Sequence, residues 1–424
     1  MSTVHVFTSA ALNYLPKVRA LCRSLKTYHP ELIVHFALAD EVPDWLNLDS
    51  EPFDDVISIA ELDIPEKRSW MFRHTIVELS TGIKPFVFQY LLRKPDCKGV
   101  LYFDPDIVLF SGLDDLLAEL EQNNILLTPH QAKPEQSLEA VADNEICSLR
   151  HGIFNLGFLG VRNDQEGRNF VTWWSERIYH FCHESLENHL FTDQKWINFV
   201  PVFFDGVKIL KHSRFNVATW NITTRRVAGS FRDGFTVDGA PLGFYHFTGF
   251  DSGAHEIMAR KYGQNNPAVM SLVRWYVKEI QDGDENRSKP SWAFSSFSNG
   301  APITKEHRDI YRMRRDLQEA FPDPFSVTSG NMSYYQWFEW CAALEHPELF
   351  SLSKPAPSSK VPTSNLVPRY LNRIDMTRVR RCVRIAVRDR RQLLILAQKA
   401  WRILRVEGLK GFKHRLASRR EKVR

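Results

Sequence analysis

Apolar and polar positions along the chain fall into two kinds of run. Short apolar runs bounded by turn residues predict strands at 4–10 (VHVFTSA), 32–40 (LIVHFALAD), 99–104 (GVLYFD), 124–129 (NILLTP), 154–161 (FNLGFLGV), 207–210 (VKIL) and 243–249 (GFYHFTG). Apolar residues at three- and four-residue steps predict helices at 15–28 (LPKVRALCRSLKTY), about 74–93, 113–122 (LDDLLAELEQ), 165–182 and 192–200. Strands alternating with helices predict an α/β fold, a mostly parallel sheet flanked by helices on both faces. Ligands of such sheets bind beyond the carboxyl ends of the strands.

Three of the expected strand ends carry polar residues: Thr8-Ser9-Ala10, Asp40, and Asp104-Pro105-Asp106. In an extended segment, residues two apart point the same way, so Asp104 and Asp106 can face one hard cation. Two carboxylates with phosphate oxygens and waters suit Mg²⁺ or Mn²⁺. Asp-Pro-Asp is also a common turn sequence, and the residues alone leave both readings open.

Composition bounds the class. The 424 residues are 43% hydrophobic and 25% charged, which excludes a largely disordered chain. No run approaches the roughly 20 apolar residues that span a bilayer. The start, MSTVHVFTSAALNYL, lacks a basic leader, so a secretory signal is not expected. Six scattered cysteines with no C-x-x-C pair argue against structural zinc or a disulfide framework and fit a cytoplasmic protein.

Charge divides the chain. From Val367 to Arg424 there are 19 Lys and Arg against 4 Asp and Glu, a tail at +15, while the first 366 residues hold 36 basic and 46 acidic residues. The join, 351–367, is rich in Pro and Ser and reads as a linker. In the tail, Val379, Cys382, Val383, Ala386, Val387, Leu393, Leu394, Ala397, Trp401 and Leu404 recur at helical steps among arginines. A basic amphipathic helix of this kind suits an anionic membrane surface, or packs its apolar face on the main domain. No nucleic-acid motif accompanies the charge, and a nucleic-acid partner is not expected. The expected organisation is a catalytic domain at 1–255, a helical accessory region at 256–350, the linker, and the tail at 368–424.

The order of motifs resembles that of the GT-A-fold retaining glycosyltransferases of family 8 and their bacterial relatives. The matching segments are VHVFTSA, LYFDPDIVLFSGLDDL at 101–116, FNLGFLGVRN at 154–163, TDQKWIN at 192–198 and FYHFTGF at 244–250. The resemblance covers residues 4–250 and implies roles by position. Asp104, Asp106 and His246 would hold Mn²⁺ or Mg²⁺ against a donor diphosphate. Thr8 and Ser9, with Asp40, would line the nucleoside pocket. Asn155 and Gly157 would lie beside the donor sugar, and Lys84 would reach the diphosphate or that sugar. Asp193 and Gln194 would hold sugar hydroxyls, with Gln194 near the anomeric carbon. The implied reaction is transfer of a sugar from a nucleotide sugar, a uridine diphosphate hexose, to a glycan. With the tail, this suggests a lipid-linked acceptor in surface-polysaccharide or lipopolysaccharide assembly at the inner face of the plasma membrane.

After the H-x-x-G the family continues with Lys-Pro-Trp, whereas this chain has Phe250-Asp251-Ser252. Another cation is then needed for phosphate, and Arg308 with Arg312, four apart on one expected helix face, is a candidate pair. Two other readings remain. A nucleotidyltransferase would have a glycine-rich basic loop after the first strand, where this chain reads TSAALNYLP. A non-catalytic scaffold would show a degraded metal set, but Asp104, Asp106 and His246 are all present. No opposed carboxylate pair marks a glycosidase.

Overall fold

The computed structural model describes residues 3–282, 291–328, 332–346 and 349; the linker and basic tail expected from sequence lie outside them. Strands β1 (Thr3–Ala10), β2 (Ile33–Leu38), β3 (Asp55–Ser58) and β4 (Cys97–Phe103) are followed by the short β5 (Ile107–Leu109), then β6 (Ile125–Pro129) and β7 (Phe154–Arg162). A small hairpin, β8 (Glu184–Ser185) with β9 (Leu190–Phe191), precedes β10 (Val207–Ile209). The meander β11 (Val227–Ser230), β12 (Gly234–Val237) and β13 (Ala240–Pro241) leads into β14 (Phe244–His246).

Seven strands form the main sheet in the order β10-β6-β7-β4-β1-β2-β3. Each neighbouring pair is parallel except the two that β7 makes. Both faces are covered, which is why these strands read as apolar runs rather than as alternating ones. Alternate residues of β1 and β4 feed opposite layers. Phe7 and Tyr102 join Trp70, Phe88 and Trp174 on one side. Val6 and Phe103 join Leu21, Cys22 and Phe158 on the other. A third layer packs Tyr245 and Phe247 against Leu272 and Tyr276 of the helix Pro267–Asp282.

Helix Leu15–Tyr28 falls where the periodicity predicts it. The helix expected over 74–93 is two, Ile76–Gly82 and Lys84–Leu92. Pro85 sits in the first turn of the second, where its missing N–H costs nothing, and it could not have donated inside one continuous helix. The run at 192–200 is a tight 3-10 turn, Lys195–Phe199, followed by the four-residue helix Val200–Phe203, which has Pro201 in its first turn. The strand expected over 243–249 is only β14, and it pairs with β5 rather than joining the main sheet.

Candidate active site

At the carboxyl end of β4 the chain turns sharply. Asp104 N–H donates to Gly157 O (2.8 Å), and Ile107 N–H donates to Asp104 O (3.0 Å), closing a turn around Pro105. The chain then enters β5, which pairs antiparallel with β14 so that Ile107 lies opposite His246. Phe247 N–H also donates to Asp106 O at 2.8 Å. This short pairing is what carries a histidine from far along the sequence to the Asp-Pro-Asp turn. His246 Nε2 lies 3.0 Å from Asp106 Oδ1 and 3.8 Å from Asp104 Oδ2. One ligand atom from each of the three falls within 4.8 Å of the others.

Two carboxylate oxygens and an imidazole nitrogen converging in this way fit a divalent cation, and the nitrogen favours Mn²⁺ over Mg²⁺. Burial opposes ionisation of Asp106, but His246, by charge and hydrogen bond, and the Lys17 ammonium outweigh it and hold the carboxyl below its usual range. Burial likewise opposes charge on His246, and Asp106, with Asp104 behind it, raises its pKa instead. The site is thus electrostatically built for positive charge at the position of the imidazole and beside it.

Lys84, in the first turn of its helix, is buried between two carboxylates, 3.3 Å from Asp104 Oδ1 and 3.0 Å from Asp193 Oδ2. Burial pushes its pKa down, yet Asp104 and then Asp193 hold it well above the ordinary lysine range. For Asp193 burial wins over Lys84, and its pKa is raised. Tyr102 donates to Asp104 Oδ1, the same oxygen that Lys84 faces.

A bulge delivers the next residues. Along β6, Leu127 pairs with Leu159 but the next residue, Thr128, pairs with Asn155, so three residues of β7 are looped toward β4. Gly157 lies in that loop, and a Cβ there would fall 2.6 Å from His246 Nδ1 and 2.7 Å from Asn155 Oδ1. The close approach that this glycine permits is therefore by the imidazole. Gln194 is fixed by backbone, with Oε1 accepting from Leu156 N–H (2.9 Å) and Nε2 donating to His151 O (3.1 Å).

Asp104, Lys84, Asn155, Asp193, Gln194 and His246 all line one cleft of about 520 Å³. Ser9 lines a smaller adjoining cavity of about 150 Å³ with Tyr14, Asp104 and Asp106. Thr8 and Asp40 line neither. Thr8 is buried, and Asp40 accepts from the Glu41 (3.0 Å) and Ala293 (2.9 Å) N–H groups.

Arg308 and Arg312 do not reach the cleft. Arg308 is buried, donating to Phe72 O (2.9 Å), His74 O and Phe294 O (both 2.6 Å), and Arg312 binds Arg73 O and Glu78 Oε2. Both guanidiniums are consumed by carbonyls and a carboxylate that the fold buries. The Phe250-Asp251-Ser252 departure has a different partner: Asp251 accepts from Lys17 Nζ (2.6 Å) and Tyr14 OH (2.5 Å). Lys17, buried on the first helix, which also carries Arg19, Arg23 and Lys26, is a cation whose charge acts on Asp106, and the sequence does not reveal this because that helix reads as an ordinary basic amphipathic one.

No family model matches the chain. It is 28% identical to YfnD, an uncharacterized protein of Bacillus subtilis strain 168, over 59% of this chain and 79% of that protein. With the uncharacterized protein YfnF of the same organism the identity is 26%, over 40% of this chain and 55% of that protein. Among solved structures it is similar to the galactosyltransferase LgtC in complex with donor and acceptor sugar analogues, at 18% identity and a TM-score of 0.42, covering 68% of this chain and 98% of that one. It is also similar to the glycosyltransferase GlyE of Streptococcus pneumoniae TIGR4, at 15% identity and a TM-score of 0.38, covering 70% and 67%. At these identities the chemistry of the site has to be read from its own side chains.

Proposed function

We propose that this chain is a metal-dependent glycosyltransferase of the GT-A type, moving a hexose from a uridine diphosphate donor to a glycan acceptor with retention of configuration. The observation that carries this reading is the convergence of Asp104, Asp106 and His246 at a strand end that opens on the cleft. Mn²⁺ held there would supply Lewis-acid stabilisation of the leaving diphosphate. In this reading Ser9 serves the nucleoside side with the buried Thr8 and Asp40 behind it, Asn155 lies beside the donor sugar while Gly157 makes room for His246, and Asp193 and Gln194 serve the reacting carbon. Lys84 balances the buried charges of Asp193 and Asp104, and Lys17 is the cation offered to the phosphates. Asp193 is committed to Lys84 as a counter-ion rather than standing free as an acid, which disfavours a glycosidase.

The acceptor proposed is a lipid-linked glycan of surface-polysaccharide or lipopolysaccharide assembly, met at the inner face of the plasma membrane. Its support is the +15 tail, 19 basic residues against 4 acidic ones. Among the described residues no helix is long and apolar enough to cross a membrane.

Calorimetric titration of UDP with and without Mn²⁺, on wild type and Asp106→Ala, tests the central reading. Binding that needs the metal and disappears in the variant is expected. Failure of both proteins to bind any nucleoside diphosphate removes the transferase reading.

A further inference from the structure

Two side-chain amides, of Asn155 and Asn216, face His246, and their orientations, like that of the neighbouring Gln194, are fixed by their other hydrogen bonds. The Gly157 N–H donates to Asn155 Oδ1 at 3.1 Å, so that atom is the carbonyl oxygen. The Leu156 N–H does the same for Gln194 Oε1 at 2.9 Å. Thr128 spends its hydroxyl proton on Asn155 O (3.3 Å), so it accepts from Asn216 Nδ2 at 3.2 Å. Asn216 Nδ2 also donates to Asn155 Oδ1 at 3.1 Å.

With both amides so oriented, two carbonyl oxygens face one ring nitrogen. His246 Nδ1 lies 3.2 Å from Asn155 Oδ1 and 3.3 Å from Asn216 Oδ1. A nitrogen between two acceptors must carry hydrogen. The Nε2 atom faces the Asp106 and Asp104 carboxylates at 3.0 and 3.8 Å, so it holds the ring's other hydrogen until a cation displaces it, and is then the atom left to offer a lone pair.

Asn216 is held for this contact at some cost. It is fully buried with φ 52°, a left-handed conformation that Asn tolerates better than most residues. Asn221 Nδ2 secures its carbonyl at 2.9 Å, and Asn221 Oδ1 accepts from Ala218 N–H at 3.0 Å, so the whole FNVATWNI turn is built to present this amide.

We propose that Asn216 is a positioning residue that, with Asn155, fixes His246 as its Nδ1–H tautomer and aims Nε2 at the Asp104 and Asp106 cation site. The role rests on the metal-centre reading above. It also connects Gln194 to the metal ligands, because Asn155 Nδ2 faces Gln194 Oε1 at 3.4 Å.

The test uses Asn216→Gly, which removes the amide while tolerating the backbone angle. Two quantities are measured on the full chain: Mn²⁺ affinity by calorimetry, and the protonation site of His246 by ¹⁵N-histidine NMR with diamagnetic Mg²⁺ at saturation, assigned with His246→Gln. Expected are an Nδ1–H ring in the Mg²⁺-loaded wild type, a mixture of tautomers in Asn216→Gly at the same Mg²⁺ concentration, and a loss of Mn²⁺ affinity of about 10- to 100-fold. Wild-type Mn²⁺ affinity in the variant, or an Nε2–H ring in the Mg²⁺-loaded wild type, overturns the proposal. If the wild type binds neither Mn²⁺ nor Mg²⁺, the metal-centre reading itself fails and the positioning role falls with it, an outcome distinct from wild-type affinity in the variant.

Discussion

Lys84 and Asp193 form an ion pair at 3.0 Å in which each side chain is only 3% exposed. Neither charge has water to fall back on, and Lys84 also faces Asp104 at 3.3 Å. Removing the ammonium leaves buried carboxylates uncompensated, which costs about 3–5 kcal/mol. Lys84→Met is therefore expected to lower urea-unfolding stability by that amount, and adding Asp193→Asn to it should recover part of the loss. A drop below about 1 kcal/mol would mean that the pair is not desolvated as described.

Gly157→Ala tests the other side of the site. The added carbon would meet His246 Nδ1 at 2.6 Å and Asn155 Oδ1 at 2.7 Å, distances that real carbons do not adopt. Either the imidazole or the bulge must move. We expect Mn²⁺ affinity, measured by calorimetry, to fall by about 10-fold or more, because ligand placement tolerates little displacement. Wild-type affinity in this variant would show that the ring can shift without leaving the ligand set.

Much of this geometry is legible in the amino-acid sequence. The strand ends at Ala10 and Phe103 and the Asp-Pro-Asp turn follow from buried apolar runs broken by polar residues, a local signal. Asp104, Asp106 and His246 are legible as a set only through motif order, since the β5–β14 pairing that joins them is three residues long. The split of the 74–93 helix is marked by Pro85, yet the nearly continuous apolar run that follows it (PFVFQYLL) hides the break. Arg308 and Arg312 look available in sequence because their partners are backbone carbonyls and Glu78, which spacing does not reveal. Asn216 and Lys17 act through contacts 30 and 234 residues away, and no local pattern encodes those.

Stability should depend on pH through the buried His35. Burial, then the neighbouring His5, lowers its pKa from 6.5 to about 4, and Asp55 offsets only part of this. The unfolded chain then takes up a proton that the folded chain refuses. Stability is full above about pH 6.5 and is lost as pH falls toward 4, by about 2 kcal/mol at pH 5 for this group alone. Urea midpoints at pH 7.5 and pH 5.0 should differ accordingly, and His35→Phe should reduce the difference. An unchanged difference in that variant would assign the dependence to His130, His255 and His307, each also lowered to about 4 by burial.

Two cations of the fold should separate cleanly in experiment. Arg308 satisfies three buried backbone carbonyls, so Arg308→Met strands acceptors that cost about 1–3 kcal/mol each. It is expected to destabilise the protein strongly while leaving the UDP affinity of the folded fraction unchanged. Lys17 makes one ion pair, to an Asp251 side chain that is 54% exposed, so its loss strands no buried acid there. Lys17→Met should therefore cost little stability but weaken Mn²⁺-dependent UDP binding by about 10-fold, the worth of one charge-assisted contact. Calorimetry beside urea unfolding for the two variants decides. If Lys17→Met binds UDP as the wild type does, the Asp251 pairing serves only to close the first helix onto the segment after β14, and the phosphate cation lies elsewhere.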